Sequence, residues 1–459
     1  MKTNQTFKTK VIDLSHQGEG IAKVDGFPLF IQDALPGDEL QVRVIQVKKS
    51  YGIATVIKII QPSPDRINPP CDKFGQCGGC QTMSLDYEMQ LSYKEKRVKD
   101  ALERIGKIDT PVKPALGMKE PWGYRNKAQF PIGWSHEKLS IGFYKQGSHE
   151  IVDTDQCLIQ HPVMDIARRQ IRHFLTTTQM SIYDESTGKG LVRHLIVKTG
   201  FETGQVMIIL VINGEDLPQE KTLISLLKDE VPGLVSVVLN SNKRKTNTIM
   251  GQNNRVIYGK DYLIDRVKDL SFQISPHAFF QVNPLQTELL YDQVLRFAGL
   301  SGKETVLDLY CGIGTITLLL AQKAYRVIGI ETVDAAIKDA EANAVLNGLT
   351  NTEFIAGPAE KRIHQLQQSG ITPEVIVVDP PRKGCDETVL QAMISMNPRR
   401  IVYVSCNPAT LARDLRILED GGYRTSAVQP VDMFPHTAHV ETVVLMDQAD
   451  HQIINEDME

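Results

Sequence analysis

The sequence has no apolar run long enough to cross a membrane. The run at 206–212 contains seven apolar residues, whereas a membrane-spanning helix needs about 20. The opening residues, Met1 to Lys8, contain no apolar signal segment either. We therefore expect a cytoplasmic protein with no membrane partner. Disulfides are rare in that compartment, so the 7 cysteines of the chain need a metal-binding, catalytic or core role.

The sequence is also poor in aromatic residues, at 6%, and has no strong excess of either charge. The net charge of −4 includes five acids in the segment 447–459, which we interpret as an acidic tail. Residues 1–130 are mildly basic, with 20 Lys and Arg against 15 Asp and Glu. On charge alone, a solvated surface explains this balance better than a nucleic-acid interface. The length of 459 residues suggests about three domains.

Residues 1–60 alternate apolar and polar positions between turn signals, a pattern that predicts five short strands. The predicted strands are Phe7–Leu14, Gly20–Val24, Pro28–Ile31, Glu39–Val47 and Ile53–Ile60. They suit a small closed β-barrel of the OB type, which commonly binds oligonucleotides; periodicity alone favours another small barrel equally. Gln17-Gly-Glu-Gly-Ile-Ala22 and Ala34-Leu-Pro-Gly-Asp38 resemble the TRAM domain, an RNA-binding barrel attached to RNA-modifying enzymes.

Residues 61–270 begin with a proline-rich linker and continue with short apolar runs between polar loops. The runs predict strands at 128–132, 192–199, 206–212 and 234–239, and the residues from 84 to 106 have helical periodicity. We predict a central α+β domain. Within it, Trp122-Gly-Tyr-Arg-Asn-Lys127 interleaves aromatic and cationic residues. That pattern suits the stacking of bases and the binding of phosphates, and it suits core packing equally well.

Residues 271–446 alternate strands and helices regularly, which is typical of an α/β Rossmann-like domain with a doubly wound sheet. A strand at 305–309 leads through Gly312 and Gly314 into a helix, so the backbone there can approach a ligand. A dinucleotide site would favour a third glycine where Thr317 stands. Glu331 ends the next strand and can bind both ribose hydroxyls. Two glycines and this acid favour S-adenosylmethionine over a dinucleotide.

Two later strands deliver reactive side chains to the same edge of this sheet. Asp379 follows the strand at 374–378, and Cys406 follows the strand that starts at Ile401. Cys311 lies in the glycine turn, where packing is the simpler role, and Cys385 receives no role. A cysteine at this edge suits methylation of carbon 5 of uracil, because a thiolate that adds to carbon 6 makes carbon 5 nucleophilic.

That reaction also needs a base to remove the proton from carbon 5. Glu441 opens the last apolar strand, and His436 and His439 lie in the loop before it. Histidine is the general proton carrier near neutral pH, while strand-opening glutamates and loop histidines are usually inert. Chemistry alone leaves all three residues as candidates.

Five motifs occur in an order that resembles the RNA uracil-5 methyltransferase family, a class I, S-adenosylmethionine-dependent family. They are Phe279-Phe-Gln-Val-Asn283, Asp308-Leu-Tyr-Cys-Gly-Ile-Gly314, Asp379-Pro-Pro-Arg-Lys-Gly384, Val404-Ser-Cys-Asn-Pro408 and Met433-Phe-Pro-His-Thr-Ala-His-Val-Glu441. The resemblance implies that Gln281, Tyr310, Glu331 and Asp379 bind the cofactor. It also implies that Cys406 is the nucleophile and that Glu441 is the base.

Cys71, Cys77 and Cys80 lie close together in the sequence, and folding would have to bring Cys157 to them. Four thiolates suit either a tetrahedral zinc ion or an iron–sulfur cluster, and their spacing leaves both open. The family branch that combines a TRAM domain with this cysteine pattern carries a [4Fe–4S] cluster, whereas the transfer-RNA branch lacks both features. The resemblance therefore implies a [4Fe–4S] cluster and 23S ribosomal RNA as the partner, with no obligate protein partner.

Two other functions also fit features of the sequence. The first is an RNA cytosine-5 methyltransferase, although that class places its nucleophilic cysteine directly after the first proline of the Asp-Pro-Pro motif, where this chain has Pro381. The second is a non-catalytic RNA-binding iron–sulfur protein, which would not need the glycine turn of a cofactor site.

Overall fold

The computed structural model describes residues 1–135 and 137–449. His136 and residues 450–459, which include most of the predicted acidic tail, lie outside the described residues. In the described ranges, no helix combines the length and apolar content that crossing a bilayer requires.

The N-terminal strands form a closed five-stranded barrel in the order β1-β2-β3-β5-β4, as predicted. The strands are β1 (Thr6–Leu14), β2 (Gly20–Val24), β3 (Phe27–Ile31), β4 (Glu39–Val47) and β5 (Gly52–Gln61). Alternate side chains, such as Leu40 and Val42 of β4, are fully buried, because successive residues of a strand point to opposite faces. Buried Asp38 accepts hydrogen bonds from Leu35 N and Ser63 N and pairs with the Arg66 guanidinium, which fastens the following segment to the barrel.

Helix α1 (Tyr87–Ala101) begins after Asp86, whose side chain accepts a hydrogen bond from Glu88 N. A π-helical turn (Leu102–Gly106) continues it and ends at Lys107 in a left-handed conformation, with φ of 55°. Lys94 is buried because it pairs with a buried carboxylate from a distant loop, whereas Ile105 is 49% exposed.

The central part contains a seven-stranded sheet in the order β12-β11-β10-β9-β6-β7-β8. Its strands are β6 (Lys127–Ser135), β7 (Lys138–Tyr144), β8 (Ile151–Asp153), β9 (Val192–Thr199), β10 (Val206–Ile212), β11 (Leu234–Ser241) and β12 (Asn253–Gly259). Helices α2 (Pro162–Thr177) and α3 (Glu220–Glu230) pack on it. Strands β9 and β10 are buried at every position, which agrees with their near-continuous apolar sequences.

A hairpin and a second seven-stranded sheet form the C-terminal part. The hairpin is β13 (Leu263–Val267) and β14 (Leu270–Ile274), and the sheet strands are β15 (Thr305–Leu309), β16 (Arg326–Glu331), β17 (Thr352–Ala356), β18 (Val375–Val378), β19 (Arg400–Ser405), β20 (Tyr423–Val431) and β21 (Glu441–Gln448). The helices are α4 (Pro284–Ala298), α5 (Thr315–Ala321), α6 (Asp334–Leu346), α7 (Ala359–Gln368), α8 (Glu387–Met396) and α9 (Pro408–Asp420).

The order of this sheet is β17-β16-β15-β18-β19-β21-β20. The first five strands in that order are parallel, and β21 lies antiparallel between β19 and β20. Large apolar clusters cover both faces. The strand order reverses beside β15, and such a switch point is where open α/β sheets bind ligands. The doubly wound Rossmann-like fold predicted from the sequence is therefore present.

Candidate active site

The sheet register brings the predicted reactive residues to one edge. Strand β18 pairs with β19 so that Val378 stands opposite Tyr403, and both strands end within the next few residues. Strand β19 pairs with β21 so that Ser405 stands opposite Thr442. Cys406 and Glu441 are the next residues at this edge, and the Glu441 carboxylate is close enough to raise the pKa of Cys406.

Cys406 is fixed in a strand-to-helix turn. Asn407 caps helix α9, with its side chain accepting a hydrogen bond from Ala409 N at 3.2 Å, and Pro408 takes the first helical position. Asn407 Nδ2 also donates to the Arg382 carbonyl at 3.0 Å. The turn therefore places Cys406 at the sheet edge and fastens the loop that carries Arg382 beside it.

The surroundings of Cys406 keep it in the thiol form in the ligand-free protein. Burial, together with the carboxylates of Glu441 and Asp379, raises the pKa of Cys406 to about 11, although the Arg382 guanidinium opposes the rise. Only the thiolate is a nucleophile. Arg382 is therefore the cation beside the thiol that the sequence pattern did not identify.

A cleft of about 380 Å³ opens above Cys406. Its lining combines side chains from the barrel, the cysteine segment, the central sheet and the C-terminal sheet: His16, Gln17, Gln81, Arg97, Gln146, Arg382, Cys406, Asn407, Ala438 and His439. Within the described part of the chain this lining contains no aspartate or glutamate. Two arginines without an acid in the lining favour an anionic ligand, such as a phosphodiester chain.

Two carboxyl groups near Cys406 have strongly raised pKa values. Glu441 is 5% exposed, and burial together with the Asp379 carboxylate raises its pKa well above the ordinary value. Burial raises the pKa of Asp379 to about 7. A glutamate with a raised pKa is a stronger base once it ionises, which is the property that proton abstraction near neutral pH needs.

The loop before β21 is anchored to helix α1. Asp432 and Lys94 form a fully buried ion pair at 2.5 Å, and Lys94 Nζ also donates to the Phe434 carbonyl at 3.1 Å. Tyr87 OH donates to the second oxygen of Asp432 at 3.0 Å. Because breaking a buried pair leaves an uncompensated charge, this contact holds the loop that leads to Glu441.

The structure separates the two loop histidines. His436 is buried and stacks on Trp122 at 4.0 Å between ring centroids, and its ring nitrogens lie 3.4 Å from Gln90 Nε2 and 3.1 Å from the Pro121 carbonyl. His439 instead lines the cleft, 3.5 Å from Arg382. Burial and nearby cations lower the pKa of both histidines to about 4, so both are neutral near pH 7.

Most of the hexapeptide Trp122–Lys127 is buried or half-buried, although Trp122 itself is 37% exposed. Tyr124 is fully buried and donates to the Pro435 carbonyl at 2.9 Å, and Asn126 Nδ2 donates to the Gln281 carbonyl at 2.8 Å. The structure therefore favours the core-packing interpretation. These contacts join the central part to the two segments that flank the predicted site.

The glycine turn after β15 has the shape of a ligand cradle. Gly312 and Gly314 have φ of 56° and 83°, and a Cβ at Gly312 would meet no atom within 4 Å. Glu331 at the end of β16 accepts hydrogen bonds from Gly312 N at 3.2 Å and Val333 N at 2.9 Å. One buried carboxylate oxygen of Asp308 has no hydrogen-bond partner among the described residues. The open space and the orphaned oxygen fit a polar ligand at this turn.

The remaining predicted cofactor residues lie in two different settings. Gln281 is 7% exposed, just before helix α4. Tyr310 follows β15 with φ of 66°, and its hydroxyl interacts with the Cys385 thiol. Cys385 also receives a hydrogen bond from Tyr403 OH and is buried. Cys311 is buried against Gly329, so both extra cysteines serve packing.

The four cysteines of the central part converge. Cys71, Cys77 and Cys157 each act electrostatically on Cys80, and burial raises the pKa of Cys80 above the ordinary thiol value. Three of them pack against the same small apolar cluster around Met83 and Tyr124: Cys71, Cys80 and Cys157. Across residues 1–135 and 137–449, however, no three histidine, cysteine or acidic side chains are arranged to hold a metal ion.

Sequence reasoning missed the arginines at the cleft. Neither Arg382 nor Arg97 was among the residues predicted to form the site. Arg97 lines the cleft and donates to the Ala438 carbonyl. The Arg-Lys-Gly sequence after Asp379-Pro-Pro was the available signal for Arg382, whereas no local pattern marked Arg97.

The chain is similar to RNA methyltransferases over nearly its whole length. The sequence model of the family described as tRNA (Uracil-5-)-methyltransferase matches residues 86–449, and that of the TRAM domain matches residues 2–57. A protein of Halalkalibacterium halodurans, named an uncharacterized RNA methyltransferase, is 51% identical over 445 residues, which are 97% of each chain. A protein of Caldanaerobacter subterraneus with the same description is 51% identical and covers 98% of this chain and 99% of its own.

A solved structure resembles nearly the whole chain. The tRNA (uracil-54, C5)-methyltransferase of Pyrococcus abyssi, in complex with S-adenosyl-L-homocysteine, superposes with a TM-score of 0.78 at 27% identity. The match covers 96% of this chain and 100% of that chain.

Proposed function

The chain belongs to the RNA uracil-5 methyltransferase family, and we propose that it transfers a methyl group from S-adenosylmethionine to carbon 5 of a uridine in 23S ribosomal RNA. The observation that carries the proposal is the meeting of Cys406, Glu441 and Asp379 at one sheet edge, below a cleft lined by two arginines. The family resemblance and the substrate location both suit a cytoplasmic enzyme.

In the proposed reaction, Cys406 Sγ bonds to carbon 6 of the uracil, and the electrons of the carbon 5–carbon 6 double bond move toward O4 to give an enolate. Carbon 5 would then take the methyl group from the sulfonium of S-adenosylmethionine, which would leave as S-adenosylhomocysteine. Glu441 removes the proton from carbon 5, the double bond forms again, and the Cys406 thiolate leaves. The uridine must leave its stack to reach Cys406, which costs roughly a few kcal/mol.

S-adenosylmethionine supplies the methyl group when bound. Gln281, Tyr310, Glu331 and Asp379 are proposed to hold it, and the solved relative in complex with S-adenosyl-L-homocysteine supports a ligand of this class. The glycine turn leaves space for it, and Glu331 ends the strand at which an acid can bind ribose hydroxyls.

The choice of ribosomal RNA rests on the cysteine pattern. The Pyrococcus abyssi structure matches 96% of this chain, a share that must include most of the N-terminal barrel, and its name describes it as a tRNA methyltransferase. A barrel therefore does not by itself separate ribosomal from transfer-RNA enzymes, contrary to the expectation from the resemblance. The four-cysteine pattern remains the argument for 23S ribosomal RNA, and transfer RNA is the second candidate substrate.

We further propose that Cys71, Cys77, Cys80 and Cys157 hold a [4Fe–4S] cluster. Their convergence beside apolar side chains supports this ligand set. Iron and sulfide analysis of anaerobically purified protein tests the proposal, and zinc without iron would refute it.

The reaction is tested by incubating the protein with labelled S-adenosylmethionine and 5-fluorouridine RNA. Fluorine at carbon 5 cannot be removed as a proton, so the RNA should remain bound to Cys406, and mass spectrometry should locate the bond there. Matched 23S ribosomal RNA and transfer-RNA substrates identify the target. A Cys406→Ala protein that methylates uridine at the normal rate would eliminate the mechanism, and a 5-methylcytidine product would favour the cytosine alternative.

A further inference from the structure

A second cleft, of about 280 Å³, lies on the central sheet outside the site described above. Strand β6 forms its floor from Ile132 to Ser135. One wall is the hairpin that joins β7 to β8, and the other is the segment 183–186 before β9. Sites for drug-sized ligands occupy roughly 300–1,000 Å³, so this cleft has room for one flat group.

Aromatic side chains dominate the opening of the cleft. Trp134 is 60% exposed at its edge. Tyr144 and His149 stack on each other at 5.0 Å between centroids, and the Arg193 guanidinium lies 4.2 Å from the centre of the Tyr183 ring. Exposed aromatic planes such as Trp134 are the usual platforms for unstacked RNA bases, whereas Arg193 and Tyr183 are nearly buried and stack on each other.

The polar groups of the cleft suit the edge of a base better than a phosphate. Glu185 lies across the opening, 2.6 Å from His149 Nδ1 and 3.4 Å from Tyr144 OH. Glu150 and Asp184 add two more acids to the lining, which would repel a phosphate. A carboxylate is a good acceptor for an exocyclic amino group, as in the recognition of cytosine N4.

Two nearly buried side chains in the lining keep unused hydrogen-bonding capacity. His194 is 7% exposed, and its Nδ1 has no partner in the described ranges. Arg193 is 4% exposed and donates to the Asn242 and Arg244 carbonyls, while its Nε has no partner within the same ranges. Burial lowers the pKa of His194 to about 4, so the neutral ring can donate and accept. Buried groups without partners point to a ligand.

The hairpin places this cleft next to the Cys406 cleft. Gln146 lines the Cys406 cleft, while Tyr144 and His149, on either side of it in the sequence, line the second cleft. The cysteine segment packs on the same hairpin, where Gly78 N donates to the Tyr144 carbonyl at 3.0 Å. Residues of one short hairpin therefore line both clefts.

We propose that the cleft around Trp134 binds a second unstacked nucleobase of the substrate RNA, one that carries an exocyclic amino group. Adenine, guanine and cytosine meet this condition, and uracil does not. The inference rests on the proposed function, because it assumes that RNA occupies the Cys406 cleft. It adds a specificity site that reads a base outside the methylated position.

The first test compares Trp134→Ala with the wild-type protein on in vitro transcribed 23S ribosomal RNA. Stacking is worth about 1–3 kcal/mol per base, so both the KM for methylation and the Kd from filter binding should rise at least about fivefold, with kcat retained. Trp134→Phe should restore most of the affinity. Tyr325→Ala is the matched control, since Tyr325 is 69% exposed and outside both clefts.

The outcomes separate the two proposals. If wild-type protein methylates no RNA, the proposed function fails, while filter binding still tests the second cleft. If Trp134→Ala binds and methylates RNA like the wild type, the second cleft is not a base site. A melting temperature of Trp134→Ala equal to that of the wild type excludes misfolding of this variant.

The base preference is read by fluorescence. The chain has 2 tryptophans, so a Trp122→Phe protein reports on Trp134 alone. Oligo(A) or oligo(C) should quench it more strongly than oligo(U). Equal quenching by oligo(U) would overturn the amino-group preference, and quenching by a lysine-rich peptide but by no oligonucleotide would assign the cleft to a peptide instead.

Discussion

Replacement of Arg382 by glutamine should make Cys406 a weaker nucleophile in the RNA-free protein. The pKa of Cys406 is raised to about 11 even with the Arg382 guanidinium opposing the shift. At pH 8 only about one thiol in a thousand is then ionised. An adjacent opposite charge typically shifts a pKa by about 1–3 units, and Cys406 is only half-buried, so solvent screening favours the lower figure of about one unit.

The sign of this effect is fixed by the charge that is lost. Without Arg382 the thiolate is less stable, so the pKa rises and the curve of reactivity against pH moves to higher pH. At pH 8 the alkylation of Cys406 by iodoacetamide should slow by about tenfold, measured as the modified peptide by mass spectrometry. Arg382→Lys should keep most of the reactivity because it keeps the charge.

Arg97→Gln is the matched control for that experiment. Arg97 lines the same cleft, but it donates to the Ala438 carbonyl, whereas Arg382 is the cation that acts on the pKa of Cys406. Its loss should weaken RNA binding and leave the dependence of the Cys406 alkylation rate on pH unchanged. If Arg382→Gln reacts with the same rate and the same pH midpoint as the wild type, the reasoning about thiol activation is wrong.

Three further predictions concern the groups around the cleft. Glu441→Gln should accumulate a covalent RNA adduct, seen as a shifted band on denaturing gels, because methyl transfer precedes proton removal; normal turnover would move the base to His439. Burial raises the pKa of Asp379 to about 7, whereas an unfolded aspartate has a pKa of about 3.9. The protein therefore loses stability as the pH rises between these two values. Asp379→Asn should melt higher than wild type at pH 8 while losing activity. Lys94→Met should lower the free energy of unfolding in urea by about 3–5 kcal/mol, because it leaves Asp432 buried without its partner; a loss under 1 kcal/mol would contradict the importance of this pair.

The barrel and the C-terminal sheet could be predicted because their signals are local. In the barrel, period-two burial and glycine turns are properties of neighbouring residues, and the predicted strand bounds agree with the structure within one residue. In the C-terminal sheet, strand–helix alternation also fixed which ends of the strands meet. That rule was enough to expect Cys406 and Asp379 at one edge.

The central part was harder to predict because its important contacts join distant residues. Lys94 and Asp432 are 338 positions apart, and the hydrogen-bond partner of Tyr124, Pro435, is 311 positions away. Nothing local distinguishes a lysine that will be buried from one that faces solvent. The same holds for Trp122–Lys127, whose aromatic and cationic residues fit RNA binding and core packing equally until the partners are known.

The sequence by itself determined the family, the edge of the sheet at which the site lies, and the identity of the proposed nucleophile. Motif order and strand–helix alternation are properties of the linear sequence and need no tertiary contacts. Only the tertiary structure decided what surrounds that nucleophile. It brought Arg382 to the thiol, turned His436 into the core and His439 toward the cleft, and formed a second aromatic cleft across the β7–β8 hairpin. The pKa of a thiol and the shape of a cleft depend on burial and on charges from several segments at once, which no single stretch of sequence contains.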